Sequence, residues 1–389
     1  MDFARTVLDI PAPKVLSWSG EAENSVESEY ILMEEVTGDK LSDVWFQMEL
    51  DDKLKVVNDV VDLQRKFTSV AFNRYGNLYF AKDAYPGCVK VEITGDLSQS
   101  SKDMTNNRFV IGPVVDPTFW LQERASMNID RGPSQRTPAA HIALYKQFLA
   151  VSEYILPRGN QFRATLMHPN YHTDHIYVQK GRITGLVDWH GAWIAPLFLQ
   201  AECPNLVRYT GELMLEFPEG YSALDDADRL RIRTQAERSI LLRVYQTALE
   251  KTNPVLHAAS QVPQARVRDQ IVSFSKYSWD DGILLFRQAL IWVARHWDEY
   301  NTNIPCPIGF TPEEFAAHLR DGQGFNESQE FWDEIREEWM QPDGWIWNDL
   351  YEPTMEYLRV HRKDLLATST GSELVMMEKI LRWIDTKPE

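Results

Sequence analysis

Apolar positions along this chain change period several times, and those changes mark its elements. Residues 10–16 (IPAPKVL) read as a proline-bounded turn into a strand. Residues 29–36 (EYILMEEV) read as a β-prone run that Thr37, Gly38 and Asp39 break. Residues 48–71 place Leu54, Val57 and Val61 at helical spacing among charges, which predicts a long helix. Residues 72–135 are turn-rich, and residues 137–156 read as a second helix. Residues 175–178 and 182–187 are short β runs around Lys180 and Gly181, which predicts a hairpin. After Pro196 the spacing is helical over roughly 223–252, 264–276, 281–300, 312–320, 328–340, 348–363 and 373–385, with Pro and Gly clusters between. No internal repeat or low-complexity tract interrupts this. The pattern predicts an α+β protein with a small β-containing region, residues 1–40, and a large, mostly helical remainder, residues 41–389. The seam is expected around Thr37–Asp43.

Charge narrows the partners. Forty basic residues against 57 acidic ones give a net charge of −17, which repels nucleic acid and anionic membrane surfaces and favours a small-molecule substrate. No stretch approaches the ~18 uninterrupted apolar residues of a membrane span. Residues 1–15 show no basic region followed by an apolar run. Cys88, Cys203 and Cys306 are far apart, lack C-x-x-C spacing and read as reduced thiols remote from any active loop, so a cytoplasmic location is expected.

The chemistry concentrates in residues 165–198 (TLMHPNYHTDHIYVQKGRITGLVDWHGAWIAPLF). His168, His172, His175 and His190 are four of the nine His in the chain, and they fall within 23 residues together with Asp174 and Asp188. Imidazole titrates near neutral pH and can both give and take a proton. The His spacings fall on a loop rather than on one helix face, and no H-E-x-x-H occurs, so metal-free acid–base work is expected ahead of a metal site. Trp189 and Trp193 flank the loop, and Trp120 lies in the turn-rich region. These three are candidate apolar walls for a substrate.

Other segments fall in a recognisable order: IPAPKVLSWS, YILMEEVTGDKLSDVW, FNRYGNLYF, LMHP, ITGLVDWHGAWIAPLF, DDGILLFR, CPIGFTPEEF and DGWIWNDLYEP. In that order they resemble the fungal branch of the aminoglycoside phosphotransferase / choline kinase-like family. The resemblance implies a protein kinase-like two-lobe fold, with a truncated β-containing N-terminal lobe and a large helical C-terminal lobe. In that family the active loop reads H-x-D-x-x-x-x-N, followed by a hairpin and a second Asp. Here His168 and Asp188 match, but Asn170 stands in the catalytic Asp position and His175 in the metal-binding Asn position. The family also carries strands bearing a phosphate-covering loop and a Lys ahead of the segment matched at residue 10, and no G-x-G-x-x-G occurs in this chain.

An amide cannot take a proton from an acceptor hydroxyl, and imidazole is a poor Mg²⁺ ligand. The sequence therefore leads to a repurposed enzyme acting on a small apolar metabolite without ATP or another cofactor. Cyclisation, isomerisation or dehydration in fungal specialised metabolism would suit it. Asp188, His175, His190 and Asn170 are the leading catalytic candidates, with His172 and Asp174 behind them. Two alternatives stay open: an ATP- and Mg-dependent phosphotransferase, and a non-catalytic pseudokinase. A homodimer covering the shortened small lobe is a further expectation.

Overall fold

The computed structural model describes residues 1–115, 137–278, 283–300, 303–339 and 346–371, with positions 374, 377, 378, 381 and 384 beyond them. The chain is a mixture of helices and small antiparallel sheets that forms two compact units. One comprises Met1–Leu121 with Pro157–Ala265, the other Gln122–Leu156 with Arg266–Glu389. The division does not fall near residue 40. Strand Asp39–Lys40 pairs with strand Ile176–Gln179, and Leu41 is fully buried in the same core as the long helix that follows, so both sides of the expected seam fold together.

The first unit is organised by helix Leu50–Thr68. Asp51 and Asp52 occupy its first turn and Arg65 and Lys66 its last, which complements the helix dipole. Its inner face carries Val56, Val57, Val60, Val61, Leu63 and Phe67, buried against helix Asp226–Thr252 and the sheets. Two buried polar ties fix those helices: the Tyr245 hydroxyl donates to Gln64 Oε1 at 3.1 Å, and the Thr68 hydroxyl donates to Asn253 Oδ1 at 3.0 Å.

Two sheets hold the segment of interest. Strand Ile194–Pro196 pairs with Ala164–Leu166, placing Ile194 opposite Leu166 and Pro196 opposite Ala164. Residues 167–193 therefore leave and re-enter the core side by side. Within that excursion Ile176–Gln179 and Arg182–Leu186 form the expected hairpin. Lys180 (φ 53°) and Gly181 (φ 71°) supply the two positive φ angles that a tight two-residue turn requires. Asp39–Lys40 completes this sheet, and Gly38 makes the approach possible. Its φ is 103°, and a Cβ there would collide with the Val178 carbonyl.

The second unit is helical. Pro138–Ile155, Ala265–Tyr277 and Leu284–Arg295 build a core that includes Leu144, Val151, Ile155, Ile271, Phe286, Leu290 and Val293, and Leu284–Arg295 also packs against helix Pro312–Trp339. The pattern divided the last of these helices at about residues 320–328, but the chain runs helically through Gly322 and Gly324. Glycine in a helix interior costs about 1 kcal/mol each, too little to end a helix this long. Helix Gln99–Arg108 was hidden because its sequence (QSSKDMTNNR) has no apolar stripe. Ser98 caps it by accepting from the Ser101 N–H at 3.1 Å.

Phe67 is fully buried, and its ring lies 6.0 Å from that of Trp189 beside the loop. Phe67→Ala is expected to lower unfolding free energy by roughly 3–5 kcal/mol. Urea denaturation checks this, and a midpoint within error of the parent would contradict the packing described.

Candidate functional site

The loop is built around His168. Its imidazole is 3% exposed, with rings of Trp189 and Tyr171 at 4.8 and 5.4 Å. Nδ1 accepts the Asn170 N–H at 3.3 Å, so in the neutral ring Nε2–H donates to the Val187 carbonyl at 2.9 Å. One buried ring thus ties the start of the loop to the residue preceding Asp188. Burial drives its pKa down from 6.5 to about 4, against the smaller upward pull of the Val187 carbonyl.

His175 and Asp188 meet. Nε2 of the half-buried His175 lies 3.1 Å from Asp188 Oδ2, and Nδ1 lies 3.2 Å from the Asn170 carbonyl. The segment carrying Asp188 is held to the same residue by Val187, whose N–H donates to the His175 carbonyl at 2.9 Å. Asp188 sits in the left-handed region at φ 58°, a conformation that Asp tolerates better than most residues. Its Oδ1 accepts the His190 N–H at 3.3 Å, a local bond that offsets part of that strain. The carboxylate is thereby oriented at both oxygens while remaining about half exposed.

The other candidates do not join this pair as one group. His172 Nδ1 accepts the Asp174 N–H at 3.3 Å and lies 2.9 Å from Asp174 Oδ2, so it caps the short turn Thr173–His175. The opposite Asp174 oxygen lies 3.0 Å from Lys40 Nζ, and Lys40 followed by the Ser42 hydroxyl holds its carboxyl below the usual range. Asp174 is therefore occupied as an anchor for strand Asp39–Lys40. The Asn170 side chain accepts from Asn205 Nδ2 at 3.0 Å. His190 is exposed, and among the described residues its ring has no hydrogen-bond partner; only its backbone N–H reaches Asp188.

The aromatic walls separate in the same way. Trp189 donates Nε1–H to the Leu186 carbonyl at 2.9 Å and turns its ring onto Phe67 and His168, so it belongs to the core rather than to a substrate wall. Trp193 does line a cavity of about 350 Å³, together with Asn170, Tyr171, Cys203 and Asn205. Trp120 lies outside the described residues.

Two features were missed in the sequence. Cys203, expected to be remote, lines that cavity, although burial pushes its thiol up to about 11 and keeps it protonated. Lys40 reaches the loop through strand pairing, which no local motif announces. Among the described residues no three His, Cys, Asp or Glu side chains converge in a metal-binding group.

No protein-family profile matches the chain. It is 26% identical over 414 aligned positions to a subtelomeric hrmA-associated cluster protein of Aspergillus fumigatus, covering 87% of this chain and 78% of that one. It is 25% identical to altered inheritance of mitochondria protein 9, mitochondrial, from Zygosaccharomyces rouxii and from Lachancea thermotolerans, covering 90% of this chain and 66% of each relative. Among solved structures, a thermostable mutant of an aminoglycoside phosphotransferase in ternary complex with ADP and hygromycin B aligns with 77% of this chain and 79% of its own. The identity is 14% and the TM-score 0.29. The sequence relatives are fungal proteins, and the solved neighbours are aminoglycoside phosphotransferases. The cytoplasmic expectation is overturned, because the yeast relatives are designated mitochondrial. Free thiols do not separate one compartment from another.

The depressed pKa of His168 sets the sign of a pH effect. Between about 4 and 6.5 the unfolded chain takes up a proton that the folded chain refuses, so this residue's contribution is complete above about 6.5 and is lost as pH falls towards 4. The contribution is on the order of 3 kcal/mol. Urea midpoints at pH 7 and pH 5 should converge more in His168→Asn than in the parent chain. An identical pH dependence in both would contradict a neutral, buried His168.

Proposed function

We propose that this chain is a small-molecule enzyme on a scaffold related to aminoglycoside phosphotransferases, working by proton transfer without ATP, with Asp188 as the carboxylate that meets substrate. The observation that carries this reading is that His175 directs both ring nitrogens at oxygens, Asn170 O at 3.2 Å and Asp188 Oδ2 at 3.1 Å. A base needs a lone pair turned to substrate, and both nitrogens of this ring are turned to protein oxygens instead. His175 then acts as the holder, while Asp188 is exposed enough to reach a ligand. An oriented, half-exposed carboxylate suits removal of a proton next to a carbonyl and its return elsewhere, as in isomerisation, cyclisation or dehydration.

The position matched to the phosphotransferase base is the amide of Asn170, whose oxygen is already bonded to Asn205. That arrangement supports chemistry other than activation of an acceptor hydroxyl. Similarity to a protein named for a subtelomeric cluster supports a place in fungal specialised metabolism. The mitochondrial designation of the yeast relatives supports a mitochondrial setting.

A second reading draws on the same pair. A half-exposed carboxylate oriented at both oxygens also suits a hard divalent ion, with the adjacent imidazole as base. Asp188 would hold that ion, which would supply charge neutralisation for ATP-dependent phosphotransfer. Calorimetry with Mg-ATP separates the two. The proton-transfer reading expects no isotherm in the micromolar range, whereas tight, magnesium-dependent binding would install the second reading in its place.

A further inference from the structure

From a second cavity in the first unit, we infer that the chain binds an amphiphilic anion, a carboxylate or phosphate monoester with a short apolar body, next to the His172 side of the loop. This deepens the proton-transfer reading by naming the class of its substrate. It rests on that reading for the ligand's role but not for its binding. The cavity is about 580 Å³, and His172 and Thr173 form part of its wall. The His172 and His175 rings are 5.9 Å apart, so a ligand here lies one side chain away from the His175–Asp188 pair.

The charge of this cavity is opposite to that of the chain. Lys53, Arg208, Arg233 and Arg238 line it against one acid, Glu237. Glu237 is four residues beyond Arg233 on the same helix and is spaced to neutralise it. Instead it accepts from Lys53 Nζ at 2.6 Å, where burial of the ammonium demands a partner. Arg229 and Arg231, one turn earlier, pair with Asp226 and Asp228 at 2.5 and 2.9 Å. Among the described residues Arg233 and Arg238 have no such partner, and both face the cavity. The net charge of −17 opposes an anion only weakly at this range. Charges beyond about 8–10 Å are screened at physiological salt, whereas two guanidinium groups at the mouth act at contact distance.

The apolar part of the wall accounts for the rest of the ligand. Phe46 is 84% exposed and Leu230 64% exposed, an unfavourable placement for two large apolar side chains unless something covers them. Trp45 continues that wall, with Lys53 Nζ 5.4 Å from its ring centre. Cations beside uncovered apolar groups are complementary to a charged head on a short hydrocarbon or aromatic body.

The test is calorimetric titration of the full chain with hexyl phosphate, heptanoate, inorganic phosphate and hexylammonium. At least one of the two amphiphilic anions should bind saturably, with a dissociation constant on the order of 1 mM or tighter and more tightly than inorganic phosphate. The double variant Arg233→Gln/Arg238→Gln should weaken that binding at least about tenfold. Arg231→Gln, at a paired residue of the same helix, should leave it unchanged. The titrations read binding without turnover, so a failure of the proton-transfer chemistry would be distinguishable from a failure of this site. Circular dichroism verifies that the surface variants fold. The absence of a saturable isotherm for both anions, equal binding of hexylammonium, or equal weakening by Arg231→Gln would each overturn the inference.

Discussion

The geometry of the candidate site depends on a buried, neutral imidazole. His168 ties the Asn170 N–H to the Val187 carbonyl, two groups on opposite arms of one excursion of the chain. Left unpaired at that depth, each would cost about 1–3 kcal/mol. The cross-tie brings the arms together, and the residues that follow each of them, His175 and Asp188, then meet. The strands at the base of the excursion and the hairpin at its tip hold the same two arms at greater distances. Orientation of the carboxylate is thus achieved by core packing several residues away, and the left-handed backbone at Asp188 is carried by the bonds on either side of it.

This division of labour explains which His residues have a role and which do not. His168 is spent on architecture, and His172 caps a turn. His175 is spent on the carboxylate, and His190 stands in solvent. The density of imidazole in the sequence suggested a single acid–base cluster. The folded loop instead places these rings in separate contacts, with Asp188 half exposed beside His175. The cavity on the His172 side of the loop is lined mainly by cations, in contrast to the chain's overall charge.

Much of the framework was legible in the sequence. The hairpin at Lys180 and Gly181 announced itself through turn chemistry, and helix Leu50–Thr68 through the spacing of Leu54, Val57 and Val61. His175 and Asp188 were candidates by residue type and order, while their direct contact emerges only in the folded chain. What sequence spacing could not give was anything brought in from a distance. Lys40 arrives by strand pairing, Cys203 and Asn205 by the segment either side of Pro204, and Arg233 and Arg238 by the seating of a helix. Trp189 was misplaced for a related reason. An indole next to an active loop reads as a wall until its ring is seen turned onto Phe67, with Nε1–H bonded to the Leu186 carbonyl.

The most direct measurement follows the carboxylate itself. A fungal metabolite extract stripped of nucleotides and divalent ions is incubated with the parent chain, with Asp188→Asn and with Arg231→Gln, and the small molecules are profiled by mass spectrometry. The account predicts that a compound is converted to an isomer or a dehydrated product by the parent and by Arg231→Gln. Conversion by Asp188→Asn should be slower by about 10²-fold or more. Conversion that requires added Mg-ATP and raises the product mass by a phosphoryl group, or equal conversion by Asp188→Asn, would contradict it.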